Sequence, residues 1–206
     1  MESKIYTLYC SNPLGALGEN TFKAVQLKCS TCKKEIAEHI KFSEIELIIE
    51  WYKGEDLFST LGALMVTEAL YNELIKQNIT GFAPIKVTVK KSKYYDGPKE
   101  LPKFICLAVL NAKVRNIPIA YDYSEICGEC KGYTLQFNPD KMKNMLREKT
   151  EDALILQVYP DQYDHEDIFG FMDHPEFGIT EKFKNVLQNF NCPETTIIPA
   201  EFISNK

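Results

Sequence analysis

The chain has 206 residues, of which 45% are hydrophobic, 12% aromatic and 26% charged, and its formal net charge is -5. These proportions are typical of a folded globular protein and exclude a disordered chain or a fibrous repeat. No stretch approaches the roughly 20 apolar residues that cross a bilayer, and the first residues lack the basic and apolar regions of a signal peptide, so we expect a cytoplasmic protein.

Several extended segments are predicted as strands, because β-branched, aromatic and other apolar residues dominate or alternate in them. In chain order they are residues 4–8, 22–27, 45–49, 85–89, 104–110, 117–121 and 153–158. Loops are expected at residues 12–15, 93–102 and 160–175, where Gly, Pro and Asp collect. The pattern predicts an α+β fold with mostly antiparallel strands and a few short helices.

Three short helices are predicted between the strands. Thr67 and Thr180 can each accept from the unpaired N–H groups at the start of a helix. After Thr180, apolar residues at 183, 186, 187 and 190 form one stripe along a helix face. The third helix is expected after Asn138-Pro139, through Arg147, because proline suits the first turn of a helix.

A short motif occurs twice in the chain. Asp56-Leu57-Phe58 precedes the Thr67-Glu68 helix start, and Asp167-Ile168-Phe169 precedes the similar start at Thr180-Glu181. Each block follows one Cys-x-x-Cys pair and is followed by a Pro-marked extended segment. We interpret the chain as two related lobes, residues 1–97 and residues 98–206, with a chance match of common helix starts as the alternative.

Four of the seven cysteines form two Cys-x-x-Cys pairs, Cys29 with Cys32 and Cys127 with Cys130. Four thiolates in two short turns are what a structural tetrahedral zinc ion requires, so we predict one zinc site that joins the two lobes. A redox dithiol, which would leave the second pair unexplained, and a pair without metal are the alternatives. The remaining cysteines are expected in or beside the core, because free cysteine is often buried: Cys10, Cys106 and Cys192.

The negative charge lies in the C-terminal lobe, where residues 148–181 contain many carboxylates and Lys149 as the single basic residue. An acidic surface repels nucleic acid and attracts basic proteins, and tyrosine is common at binding interfaces. We therefore predict a partner-binding face in the densest acidic and aromatic stretch: Tyr159, Asp161, Tyr163, Asp164, Glu166 and Asp167. A solvated polar loop is the alternative interpretation.

Two other classes of function, nucleic-acid binding and catalysis, receive less support from the sequence. Lysines near the first cysteine pair and at residues 86–93, beside Tyr94 and Tyr95, are compatible with a zinc-ribbon protein that binds nucleic acid or has a regulatory role. A pI near 5.4 and the presence of only two arginines, Arg115 and Arg147, disfavour it. An enzyme is not predicted, because four thiolates leave no open position on zinc and the histidines show no ligand spacing.

The two cysteine pairs, the Asp-apolar-Phe segments and the capped helices followed by apolar-Pro strands resemble the bacterial double Cys-x-x-Cys-Gly motif family. Lys33 and Lys131 stand where that family has glycine. The final block of the chain also looks like that of related immunity proteins. The resemblance covers the cysteine pairs and about a third of the chain.

The resemblance implies that the protein protects a cell against polymorphic toxins delivered by neighbouring bacteria. Its expected partner is a cognate toxin domain, and many such toxins are nucleases with basic clefts. The acidic face would then occupy the cleft as a phosphate mimic, and opposite potentials would speed the encounter.

Overall fold

A computed structural model describes residues 4–10, 14–21, 27–33, 35–36, 44–60, 62–110, 116–117, 121–129, 133–148, 157–158, 163–171 and 176–202. In these ranges the protein consists mainly of strands, with three short helices. The predicted α+β class with mostly antiparallel pairing is therefore confirmed. None of the described helices is both long enough and apolar enough to cross a membrane.

The helices and strands alternate irregularly along the chain. In chain order they are β1 (Ile5–Cys10), β2 (Gly15–Leu17), β3 (Leu27–Lys28), β4 (Glu35–Ile36), β5 (Ile45–Trp51), β6 (Leu57–Thr60), β7 (Ala63–Thr67), α1 (Glu68–Lys76), β8 (Phe82–Asp96), β9 (Phe104–Val109), β10 (Asn116–Ile117), β11 (Tyr121–Ile126), β12 (Tyr133–Phe137), α2 (Pro139–Glu148), β13 (Gln157–Val158), β14 (Ile168–Gly170), β15 (Phe177–Thr180), α3 (Glu181–Leu187) and β16 (Thr195–Phe202).

The described strands form two six-stranded sheets and two small hairpins. The first sheet has the order β2-β5-β8-β9-β7-β6, and the second has the order β10-β13-β16-β1-β15-β14. In each sheet the second and third strands pair in parallel and the other neighbours pair antiparallel. The two sheets therefore match strand for strand in order and direction.

Two strands cross the predicted boundary between the lobes. β9 follows residue 97 but lies in the first sheet, between β8 and β7, whereas β1 lies in the second sheet, between β16 and β15. Each half of the chain thus contributes its first strand to the sheet of the other half. Separating the halves would break backbone ladders on both sides of β1 and β9.

All three predicted helices are confirmed. Thr67 caps α1 by accepting from the backbone N–H of Leu70, and Thr180 caps α3 by accepting from that of Phe183. Leu70 and Phe183 belong to one buried cluster together with Leu8 of β1. The two capped helices therefore share a core, and apolar burial of this kind supplies most of the stability of short helices.

Other sequence predictions are corrected by the structure. The loop expected at residues 160–175 contains β14, which pairs antiparallel with β15 in the hairpin that begins with the Asp167 motif. The corresponding hairpin of β6 and β7 was not predicted either. Both are short and buried on both faces, so their sequences lack the alternation that identifies a half-buried strand.

Candidate metal centre

The first cysteine pair lies in a tight turn between β3 and β4, where Leu27 pairs with Ile36 and Lys28 with Glu35. The backbone N–H of Lys33 donates to the carbonyl of Cys29 at 3.0 Å. Lys33 has a φ of 61°, a left-handed conformation that glycine adopts most easily. This geometry brings Cys29 and Cys32 together at the end of the hairpin.

Cys127 of the second cysteine pair lies at the end of a similar hairpin. β11 and β12 pair antiparallel, and Ile126 is opposite Tyr133 next to the turn. Cys127, Gly128 and Glu129 begin that turn. Cys130, the fourth predicted ligand, lies outside the described residues.

The structure brings the two hairpin ends together. The Sγ atoms of Cys29 and Cys127 are 3.8 Å apart although the residues are 98 positions apart in the chain. The Sγ atoms of Cys29, Cys32 and Cys127 all lie within 4.8 Å of one another. The spacing of Cys29 and Cys127 is too long for a disulfide, whose sulfurs are about 2.05 Å apart. This cysteine cluster could hold a metal ion, as the sequence predicted for these three residues.

Burial of the cysteine cluster is uneven. Cys29 is 1% exposed, while Cys32 and Cys127 are partly buried. A thiolate that is shielded from water is stabilised when a cation neutralises it, because an isolated buried charge costs much more free energy than a paired one. A bound metal ion would therefore neutralise the thiolates of this site, and its binding would release the protons of the thiols.

A residue that the sequence did not indicate, Glu129, joins the two turns. Its carboxylate accepts from the hydroxyl of Ser30 at 2.8 Å and from that of Thr31. The hydrogen bond from Thr31, followed by that from Ser30, lowers the pKa of Glu129 below its usual range. Glu129 is thus held as a carboxylate over the first turn. The only signal in the sequence was an acid in one Cys-x-x-Cys pair and two hydroxyls in the other.

The cysteines outside the cluster occupy apolar surroundings, as predicted. Burial raises the pKa of Cys106 to about 12 and that of Cys10 to about 11. Burial also raises the pKa of Cys192 to about 12, with a smaller contribution from the charge of Asp56. These thiols stay protonated near neutral pH, so they are poor nucleophiles and poor metal ligands.

Tyr163 was predicted to bind a partner, but its side chain is only 7% exposed. Its hydroxyl donates to the carbonyl of Glu166 at 3.1 Å, and its ring packs on that of Phe169 with centroids 4.9 Å apart. Burial, followed by the nearby charges of Asp167 and Glu166, raises the pKa of Tyr163 to about 12. The aromatic ring is part of the core beneath this segment and does not lie on its surface.

Asp167 is also buried, at 8% exposure. Its carboxylate accepts from the hydroxyl of Thr180 at 2.8 Å, from the backbone N–H of Thr80 at 3.0 Å and from the ammonium of Lys182 at 3.2 Å. The carboxylate is therefore used inside the protein. A run of acids in a sequence does not show which of them the backbone and neighbouring hydroxyls will bind.

The remaining residues of the predicted binding face divide into two groups. Asp164 is exposed and Glu166 is half-buried. Tyr159 and Asp161 lie outside the described residues. Of the described part of the predicted face, Asp164 is thus the side chain that is open to a partner.

The lysine run that favoured nucleic acid is largely occupied by internal contacts. Lys86 pairs with Glu44 at 3.0 Å, and Lys90 pairs with Glu46. The ammonium of Lys93 lies 4.8 Å from the centroid of the Tyr94 ring. The largely buried carboxylate of Glu46 neutralises Lys90, whereas the exposed pair of Lys86 and Glu44 is weak.

Comparison of the sequence with models of known protein families found no match, and comparison with curated proteins found none either.

Proposed function

We propose that the cysteine cluster, completed by Cys130, binds one structural zinc ion. The spacing of the sulfurs supports this proposal. Thiolates bound to tetrahedral zinc at about 2.3 Å lie about 3.8 Å from each other, and Cys29 and Cys127 have this separation. With Cys32 and Cys130 as the other ligands, each hairpin supplies two thiolates to the ion.

Such an ion would join the two halves of the chain and would not take part in catalysis. Four thiolates fill the tetrahedral shell, so no position remains for water or substrate. Zinc holds the ligands in place, and Glu129 holds the first turn from the side of the second through Ser30 and Thr31. The metal would therefore contribute to folding stability, because the unfolded chain has no assembled site.

The two lobes are proposed to be copies of one unit. The matching order and direction of the two six-stranded sheets support this proposal. So does the register of the two motif hairpins, in which Phe58 is opposite Met65 and Phe169 is opposite Gly178. The copies have exchanged their first strands, β1 and β9. In this interpretation the two cysteine hairpins are equivalent and meet at the pseudo-symmetry axis.

The function we propose is stoichiometric binding and neutralisation of a bacterial toxin domain, as an immunity protein. The meeting of Cys29 and Cys127 from different halves carries this proposal, because the two cysteine pairs are among the features in which the chain resembles the family of immunity proteins. The acidic excess of the C-terminal half adds support, since it suits a partner with a basic cleft. Within the described part of the predicted binding face, Asp164 is the exposed acid that would contact such a partner.

Elemental analysis of protein purified without chelator tests the metal site. We expect one zinc per chain in the wild type, loss of zinc and of thermal stability in Cys127→Ser, and full zinc content in Cys192→Ser. The Cys192→Ser variant is the matched control because it removes a thiol outside the cluster. A wild-type protein without metal, or equal zinc in Cys127→Ser, would contradict the proposal.

Growth of bacteria that express a candidate toxin domain, with and without this protein, tests the immunity function. We expect rescue of growth and a 1:1 complex by size-exclusion chromatography with light scattering. Asp164→Asn should weaken the complex several-fold, and Asp140→Asn, which neutralises an exposed acid on α2, should not. Retention of the protein on DNA or RNA that falls steeply with salt, without toxin binding, would favour the nucleic-acid alternative.

A further inference from the structure

The fifteen-residue strand β8 changes partners along its length. Residues Phe82 to Lys86 pair with β9 on one side, and residues Val87 to Lys91 pair with β5 on the other side. Beyond Lys86, no described residue pairs with β8 on the side that β9 occupied. Within the described part of the chain, the middle of this strand therefore has an unpaired edge.

The direction of the backbone shows which groups face that edge. The carbonyl of Gly81 accepts from the N–H of Leu110 at 2.9 Å, on the β9 side. Backbone groups of alternate residues point to the same side of a strand, so those of Val87 and Val89 also face the β9 side. Their N–H and C=O groups have the spacing that an added strand would need.

A groove of about 670 Å³ lies along this edge, between β8 and residues 101–105. Val87, Val89 and Leu101 give it an apolar lining. The segment that leads from β8 to the opposite wall is held at Pro98, whose carbonyl accepts from the ammonium of Lys91 at 3.2 Å and from the hydroxyl of Tyr95 at 2.9 Å. The groove is open and has a volume typical of ligand sites.

The rim of the groove is mainly positive. Lys86, Lys91 and Lys103 line it, with Glu68 as the acid among the lining residues. Lys86 and Lys103 are strongly exposed, and their partners Glu44 and Glu68 are exposed as well. Exposed ion pairs of this kind are weak, so an incoming carboxylate can replace them at little cost.

The geometry points to a peptide-binding groove, in which an extended acidic segment of a partner protein adds to β8 as a further strand. Main-chain hydrogen bonds to Val87 and Val89 supply affinity, and the lysines of the rim select acidic side chains. The regular spacing of paired N–H and C=O groups above an apolar lining suits a peptide better than a phosphate backbone. This inference is independent of the proposed immunity function and of the metal site.

Nuclear magnetic resonance of the full chain tests the groove with a defined probe, a capped heptapeptide in which acidic residues alternate with valine. We expect chemical-shift changes confined to residues 82–91 and 101–105, and slower hydrogen exchange at the amides of Val87 and Val89. A heptapeptide with lysine in place of the acids should cause at least tenfold weaker binding. Equal binding of the two peptides would overturn the inference, and so would the absence of shifts at millimolar acidic peptide.

Variants separate the groove from general charge effects. Lys86→Ala and Lys103→Ala should each weaken peptide binding about threefold or more, whereas Lys76→Ala, which removes a similarly exposed lysine from an ion pair on α1, should leave it unchanged. The same loss in all three variants would overturn the inference. Oligothymidylate that shifts the groove amides when the acidic peptide does not would overturn it in favour of nucleic acid.

Discussion

The backbone of Lys33 is held in a conformation that disfavours a side chain. With a φ of 61° directly after Cys32, Lys33 occupies a position in the turn of the Cys-x-x-Cys hairpin that suits glycine. A non-glycine residue in this region costs about 1–3 kcal/mol, which the surrounding hairpin must supply. The hydrogen bond from the N–H of Lys33 to the carbonyl of Cys29 shows what the conformation achieves, because it closes the turn that carries Cys29 and Cys32.

Replacing Lys33 with glycine should therefore stabilise the protein. We expect Lys33→Gly to raise the free energy of unfolding by about 0.5–1 kcal/mol, since relief of strain exceeds the extra entropy of glycine in the unfolded chain. Urea denaturation at equal metal content measures the change. Lys33→Ala is the matched control, because it removes the same ammonium but keeps the strain. A Lys33→Gly variant no more stable than Lys33→Ala would disprove the explanation.

At the scale of secondary-structure elements, the hairpin of β14 and β15 depends on a close contact. Gly178 lies opposite Phe169, and a Cβ atom at position 178 would overlap the Phe169 ring. That ring cannot move aside easily, because it is fully buried and packs against Tyr163 and Phe171. Glycine here allows a large aromatic residue to cover the strand.

Gly178→Ala should consequently destabilise the protein by about 1–3 kcal/mol, the usual cost of overpacking a core. Thermal or urea denaturation measures the loss. In a Phe169→Leu background the added methyl group has more space, so the same glycine substitution should cost less, with a coupling of about 1 kcal/mol. Strictly additive effects of the two substitutions would show that the overlap is not the cause.

At the scale of the whole molecule, two aspartates make reciprocal contacts between the halves. Asp56 accepts from the hydroxyl of Thr67 at 2.7 Å and from the backbone N–H of Asn191, which follows α3, at 2.9 Å. Asp167 accepts from Thr180 and from the backbone N–H of Thr80, which follows α1. Each motif aspartate thus binds the helix-capping threonine of its own half. It also binds a backbone N–H just beyond the helix of the other half.

Removing either aspartate should weaken the whole fold. We expect Asp167→Ala to lower the free energy of unfolding by about 2–4 kcal/mol, because buried donors lose a charged acceptor, and Asp56→Ala to cost somewhat less, because Asp56 is less buried. Denaturation in urea provides the measurement. Asp164→Ala, an exposed acid in the same segment as Asp167, should change stability by less than about 0.5 kcal/mol. Equal effects of Asp164→Ala and Asp167→Ala would refute this role.

The parts of the molecule that were predictable depend on local chemistry. Thr67, Thr180 and Pro139 mark helix starts because the signal for a helix start lies within one turn of the residue. The cysteine pairs were likewise evident from their spacing. Glu129 and Asp167 were not recognised as contacts across the molecule, because their partners lie 98 and 87 residues away in the chain. The short buried strands β6 and β14 also lack a distinctive local pattern.

The sequence by itself determined the α+β class, the helix starts and the identity of the clustered thiols, since each follows from the character and spacing of neighbouring residues. Only the tertiary structure decided that Cys29 meets Cys127, that β1 and β9 lie in the sheet of the other half, and that Asp167 is buried while Asp164 is exposed. These features depend on contacts between distant segments. Their free energies arise from packing and hydrogen bonding that form only when the complete chain has folded.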